Sequence, residues 1–283
     1  MSDHVVRGAE RLEECVKAVA RDPRATAFFC DIDGTISPLA PTPADAAVPR
    51  DFRAALATLA PRLGLLAFVS GREVGDGRDM ITLRDAVYVG NHGLQVLYPS
   101  GQITVTPTAL PYVDAVRAAA LRAAALEPRL PGLFVENKQL VVAVHYREVA
   151  DPDEARAIID AHVVGPARAD GLHISTGKFV IEVRPPIPVG KGTAIRDLLD
   201  AGGYATAIFI GDDLTDIDGL EAVREWAAAA SAGGRLGCAA AVAGDETPAA
   251  VTAAADVWLD GTDAVLTLLT RLVDETRNHS PEL

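Results

Sequence analysis

Short apolar runs recur along the chain: "ATAFFC" (25–30), "LGLLAFV" (63–69), "AVYVG" (86–90), "ATAIFI" (205–210), "GCAAAV" (237–242) and "VWL" (257–259). Runs of this length with little polar alternation suit strands buried on both faces, as in a parallel sheet covered by helices. Between them, residues 50–60, 74–80, 191–201, 215–229, 247–254 and 262–275 read as those helices. A further amphipathic helix is expected near the N-terminus, with Val6, Leu12, Cys15, Val16 and Val19 on one face. The pattern predicts an α/β fold with a Rossmann-like parallel sheet core.

The rhythm changes in the middle of the chain. A helix at 112–126 is followed by "LFVENKQLVVAVHYR", which alternates and carries turn signals at Asn137–Gln139. A second helix at 152–163 precedes "GLHISTGKFVIEVRP", which reads as a hairpin turning at Thr176–Gly177. Helix plus hairpin, twice, is the pattern of a small α+β unit. Prolines flank it at 107, 111, 185, 186 and 188, as in stiff connections between domains. The expectation is an inserted α+β cap domain at 108–185, with a core domain built from 1–107 and 186–283.

The composition changes this picture little but narrows the partners. With 49% hydrophobic residues among 283, the chain can fill such a core. A formal net charge of -13 repels phosphate backbones and anionic lipid, so neither nucleic acid nor membrane is an expected partner. Any phosphate it handles needs a local cation. Cys15, Cys30 and Cys238 show neither CxxC nor Cys/His spacing, which argues against a disulfide framework or zinc site and fits a reducing cytoplasm. No apolar run approaches the about 18 residues of a membrane helix, and the charged N-terminus lacks the apolar middle of a signal peptide.

Ligands of open α/β sheets bind beyond the carboxyl ends of the strands, and here those ends hold the polar residues. The first run ends in Asp31-Ile32-Asp33-Gly34-Thr35, the second in Ser70-Gly71-Arg72, and "ATAIFI" in Gly211-Asp212-Asp213-Leu214-Thr215-Asp216. Lys191 opens the helix before that last strand, where the dipole favours acids, so it needs another reason to be there. Each residue alone has a plain explanation as a turn former or helix cap. Together, in this order and at strand ends, they are hard to assign to turns. Carboxylates, a hydroxyl and one cation suit phosphoryl transfer: one acid attacks phosphorus, a second moves protons, and the lysine and serine hold the equatorial oxygens. Oxygen-only ligands suit Mg2+. "VGKGT" is not a phosphate loop, because Gly192 follows Lys191 where serine or threonine is needed.

At these residues the sequence resembles the haloacid-dehalogenase-like phosphatases, whose motifs match Asp31-x-Asp33-Gly34-Thr35, Ser70, Lys191 and Gly211-Asp212-Asp213. The resemblance implies Asp31 as nucleophile, Asp33 as general acid/base, and Ser70 and Lys191 holding the phosphoryl group. It further implies Mg2+ bound by Asp31, the Asp33 carbonyl and Asp212, with Asp213 and Asp216 in support. A narrower resemblance is to the trehalose-6-phosphate phosphatase family, carried by "SGR", "VGNHGLQV", "VENKQLVVAVHYR", "GKFVIEVRP", "KGTAI" and "GDDLTD". It implies that Glu136, Lys138 and Glu182 of the cap grip sugar hydroxyls, and that Gly71, Arg72, Asn91, His92 and Gly93 line the substrate site from the core. Gln95 departs from the family's glutamate, and "DIDGL" from its "DExxF". His145, on an alternating strand, reads as a packed or surface histidine.

The leading expectation is thus an Mg2+-dependent, cytoplasmic phosphatase acting on a small-molecule sugar phosphate, trehalose 6-phosphate by resemblance. Two alternatives stay open: a phosphatase of another sugar or polyol phosphate, and a catalytically silent sugar-phosphate-binding regulatory module.

Overall fold

Residues Thr26–Cys30 show why the apolar runs become central strands: Phe28 and Cys30 point into one core, Ala27 and Phe29 into another. The structure, a computed structural model, describes residues 5–40, 45–177, 179–229, 234–244 and 247–277. In chain order its strands are β1 (Val5–Arg7), β2 (Thr26–Cys30), β3 (Leu65–Val69), β4 (Val87–Gly90), β5 (Gln95–Leu97), β6 (Ile103–Val105), β7 (Phe134–Asn137), β8 (Val142–His145), β9 (His173–Gly177), β10 (Val180–Arg184), β11 (Thr206–Gly211), β12 (Leu236–Ala243) and β13 (Val257–Asp260). Its α-helices are α1 (Ala9–Arg21), α2 (Arg50–Leu59), α3 (Val74–Ile81), α4 (Val113–Ala124), α5 (Pro152–Ile159), α6 (Gly165–Ala169), α7 (Lys191–Ala201), α8 (Ile217–Ala228), α9 (Ala249–Ala254) and α10 (Gly261–Arg277). They divide between two compact units, one comprising the described residues up to Thr104 and from Val189 onward, the other Val105–Pro188.

The larger unit holds a nine-stranded sheet in the order β1-β13-β12-β11-β2-β3-β4-β5-β6. Pairing from β13 through β4 is parallel, whereas β1 and β5 join antiparallel. Helices α1, α2, α3 and α10 cover one face and α7, α8 and α9 the other. The fold is therefore the predicted α/β sandwich with a parallel centre. The N-terminal helix begins later than expected: Gly8 takes φ 82°, and Val6 lies before it in β1, paired with β13, rather than on a helix face. Strands β5 and β6 extend the sheet beyond the predicted runs.

In the smaller unit, a four-stranded antiparallel sheet of order β7-β8-β10-β9 packs one face on its own helices. Val135, Val142, Val144, Ile181 and Val183 point to that side, with Val116, Ala119, Ile159 and Val163 from the helices. Its second helical stretch passes the expected end at 163. Pro166 has no N–H to give, and the chain widens into a π turn over Asp160–Val164, where the Gly165 N–H reaches the Asp160 carbonyl, before continuing to Ala169. The last hairpin also turns later than expected. Gly177 pairs with Val180 and Thr176 with Ile181, so both predicted turn residues lie in the strand, where the branched Thr176 side chain is well suited. Among the described residues, no helix is long and apolar enough to cross a membrane.

Candidate active site

The site forms where parallel strands end together. The Asp31 N–H donates to the Ile210 carbonyl at 2.9 Å, which fixes the end of β2 beside that of β11. Lys191, the first residue of α7, is 3% exposed, and its Nζ lies 2.7 Å from Asp31 Oδ1 and 2.7 Å from Asp216 Oδ1. The other oxygen of Asp216 accepts from the N–H groups of Asp212 and Asp213, at 3.1 and 3.0 Å, and so shapes the turn after β11. Thr35 Oγ1 donates to Asp212 Oδ1 at 3.0 Å. Gly34 has φ 79°, and a Cβ there would run into the Asp212 carboxylate, so the turn after β2 admits only glycine. Asp31, Asp33, Ser70, Lys191 and Asp212 share one cavity of about 600 Å3. Asp213 lies at its exposed rim.

Burial raises the Asp31 carboxyl well above the usual carboxylate range; Lys191 opposes the shift, while Asp216 and Asp212 add to it. Burial alone would lower the Lys191 pKa, but Asp216 and Asp31 outweigh it and hold the ammonium charged. Asp212 is pushed up to about 7, by burial first and then by Asp216. Asp31, Asp212 and Asp216 each bring a carboxylate oxygen within 4.8 Å of the others. One ammonium does not balance three carboxylates. The oxygen-only donor set and the surplus negative charge fit a hard divalent cation.

The second strand end supplies Ser70, whose N–H donates to the Val89 carbonyl at 2.9 Å and whose hydroxyl accepts from the Arg72 N–H at 3.2 Å. The Arg72 side chain turns to Asp33 and grips both its oxygens, at 2.6 and 2.7 Å. Gly71 leaves room for the His92 ring, whose Cε1 would lie 2.5 Å from a Cβ at that position. Asn91 and His92 both take the left-handed conformation, with φ 52° and 56°, and Gly93 follows them. Their N–H groups donate to the carbonyls of Arg72 and Ser70, at 2.8 and 3.1 Å, and these bonds hold a costly backbone in place. The departure at Gln95 is accommodated here: its side-chain oxygen accepts from Asn91 Nδ2 at 2.9 Å, as a carboxylate would. Leu220 in "DIDGL" is fully buried in the core.

The remaining expected residues lie in the smaller unit, on the sheet face opposite its helices. Register places Glu136, Ala143, Glu182 and Ser175 in one row across the four strands. Lys138 Nζ stands 3.4 Å from Glu136 Oε2 and 3.8 Å from Glu182 Oε1. Burial would raise the Glu136 carboxyl, but the His145 and Lys138 contacts outweigh it and hold it below the usual range. Sequence reasoning left out His145, whose Nε2 is 3.5 Å from Glu136 Oε2, and Ser175, whose Oγ donates to Glu182 Oε2 at 3.5 Å. The two-residue period of a strand, counted from Ala143 to His145 and aligned with Glu136, carried that signal.

The trehalose-phosphatase family model matches residues 29–248, which include the strand ends and the inserted unit. The chain belongs to the trehalose-phosphatase family. A trehalose-phosphate phosphatase of Mycobacterium avium is 34% identical over 207 residues, covering 71% of this chain and 52% of that protein. An uncharacterized glycosyl hydrolase of Mycobacterium tuberculosis is 35% identical over 208 residues, covering 71% of this chain and 15% of that protein. The chain thus spans about half the length of the first relative and a small part of the second. Among solved structures, the C-terminal domain of Candida albicans trehalose-6-phosphate phosphatase superposes with a TM-score of 0.74 at 20% identity, covering 96% of this chain and 99% of that one. That likeness speaks to the fold, a haloacid-dehalogenase-like one.

Proposed function

We propose that this chain is a phosphatase that releases inorganic phosphate from trehalose 6-phosphate through a phosphorylated Asp31. The observation that carries the reading is the bonding of one buried ammonium, Lys191 Nζ, to both Asp31 and Asp216 at 2.7 Å, in a cavity that also holds Asp33, Ser70 and Asp212. Family membership supports the substrate class.

The Asp31 carboxylate attacks phosphorus while the ester P–O bond breaks, and Asp33 gives its proton to the departing sugar oxygen. Asp33, now a carboxylate, removes a proton from the water that attacks the same phosphorus, and phosphate and Asp31 are restored. Lys191 and the Ser70 hydroxyl hold the non-reacting oxygens. Asp31, the Asp33 carbonyl and Asp212 would hold Mg2+, with Asp213 and Asp216 in support, and the bound ion would offset the charge of the phosphate dianion. Glu136, Lys138 and Glu182 are the sugar-gripping set of the smaller unit, which acts as a specificity cap. Gly71 and His92 line the core side, with Asn91 and Gly93 shaping the loop that presents His92.

The test is phosphate release from a panel of disaccharide and monosaccharide phosphates, with Mg2+ and with EDTA. The reading expects preference for trehalose 6-phosphate and loss of turnover with EDTA or Asp31→Asn. Turnover that survives both treatments would remove the mechanism, and a better rival substrate would remove the specificity. Tight binding of the sugar phosphate without release of phosphate would favour the silent module.

A further inference from the structure

Arg72 meets Asp33 edge to edge: Nε donates to Oδ2 at 2.6 Å and a terminal nitrogen to Oδ1 at 2.7 Å. The pair joins the turn after β2 to the turn after β3, across 39 positions of sequence. Both ends of the arginine are fixed. Its N–H donates to the Ser70 hydroxyl at 3.2 Å, its carbonyl accepts from the Asn91 N–H at 2.8 Å, and its side chain is only 14% exposed. A guanidinium that bound the substrate's phosphate in the same two-point way would present this edge to the cavity. Here the edge is committed to Asp33, and among the described residues Arg72 does not line the cavity that holds Asp31 and Lys191.

We propose that Arg72 is the positioning residue of Asp33, fixing the direction in which that carboxyl gives and takes its proton, and is not a grip on substrate. The proposal rests on Asp33 being the acid/base of the preceding section. A carboxylate offers about four lone-pair sites, and the arginine fork uses one on each oxygen. One site therefore remains on each oxygen for the proton that passes to the ester oxygen as the P–O bond breaks. The planar fork holds the plane of the carboxyl and so sets where those sites point. A lysine ammonium can hold one oxygen but does not set that direction.

The test is a double-substitution cycle read as kcat and KM for phosphate release from trehalose 6-phosphate, with Arg72→Ala, Arg72→Lys and Asp33→Asn alone and combined. Arg72→Ala is expected to lower kcat about 10- to 100-fold through misplacement of a proton donor, with KM nearly unchanged. Adding millimolar guanidinium chloride should restore part of the loss. Arg72→Lys should show a smaller kcat loss, and it serves if the alanine variant does not fold. In the Asp33→Asn protein, either Arg72 substitution should have no further effect. A raised KM with kcat retained, or an equal further loss in the Asp33→Asn background, would overturn the proposal. Full turnover by Asp33→Asn would overturn the acid/base reading beneath it, and the proposal with it.

Discussion

Replacing Lys191 with methionine keeps most of the side-chain volume and removes the ammonium from a buried group of carboxylates. Its Nζ lies 2.7 Å from an oxygen of Asp31 and of Asp216, and all three side chains are at most 6% exposed. At an effective dielectric of about 20, each contact is worth about 6 kcal/mol of direct attraction. Desolvation offsets much of that, and breaking a buried pair from one side leaves a net loss of about 3–5 kcal/mol. The loss depends on pH with a definite sign. The folded-state pKa of Asp31 is already raised by burial and rises further without the lysine. Its neutral form therefore stabilises the variant fully below the unfolded carboxyl value of about 4, and that contribution disappears as pH rises through the folded value. The deficit should be largest at pH 8 and shrink toward pH 5.5. Thermal unfolding followed by circular dichroism in EDTA would read it, with a fall in Tm on the order of 10 °C at the higher pH. A fall of less than about 2 °C, or the same fall at both pH values, would show that Lys191 does not compensate the carboxylates.

The other predictions concern the metal, the strained loop and the cap. Asp212 is held at about 7, so Mg2+ affinity measured by calorimetry should rise from pH 6 to pH 8; a dissociation constant that ignores pH would contradict its role as a ligand. Gln95 is buried and accepts from Asn91, so Gln95→Leu should cost about 1–3 kcal/mol in urea unfolding. Gln95→Glu, which keeps the acceptor, should stay near the parent. Lys138→Ala should raise KM for trehalose 6-phosphate by on the order of 10-fold, as expected for loss of one charged contact, and leave turnover of an aryl phosphate unchanged. Equal effects on both substrates would remove Lys138 from sugar recognition.

The core strands were legible because burial on both faces writes itself as an unbroken apolar run, and the polar residues that end those runs fall where an open sheet binds ligands. Where that pattern weakens, so did the reading. Strands β5 and β6 have three residues each and no apolar run of their own. The turn near Thr176 was misplaced by following turn propensity, whereas register is set by which side chains must face the helices, as with Ile181 and Val183. The pairing of Arg72 with Asp33 and of Thr35 with Asp212 could not be read at all. Each joins residues far apart in the chain, and nothing in either segment alone favours one partner over another.

The division of labour among the acids follows from counting bonds rather than from their nearness to one another. Distance alone would let Asp31, Asp212 and Asp216 share a cation equally. Asp216, however, is fully buried and spends one oxygen on Lys191 and the other on two backbone N–H groups. Turning it toward an ion would strip the buried lysine of one of its two carboxylate partners and open the turn that carries Asp212. Asp31 gives one oxygen to Lys191, and Asp212 gives one to Thr35. The second oxygen of Asp212 lies against Gly34, where the missing side chain leaves space. In the proposed reading Asp216 is therefore the brace and Asp31 and Asp212 the ligands. Gly34 and Thr35 belong to the motif because they shape the space on either side of Asp212.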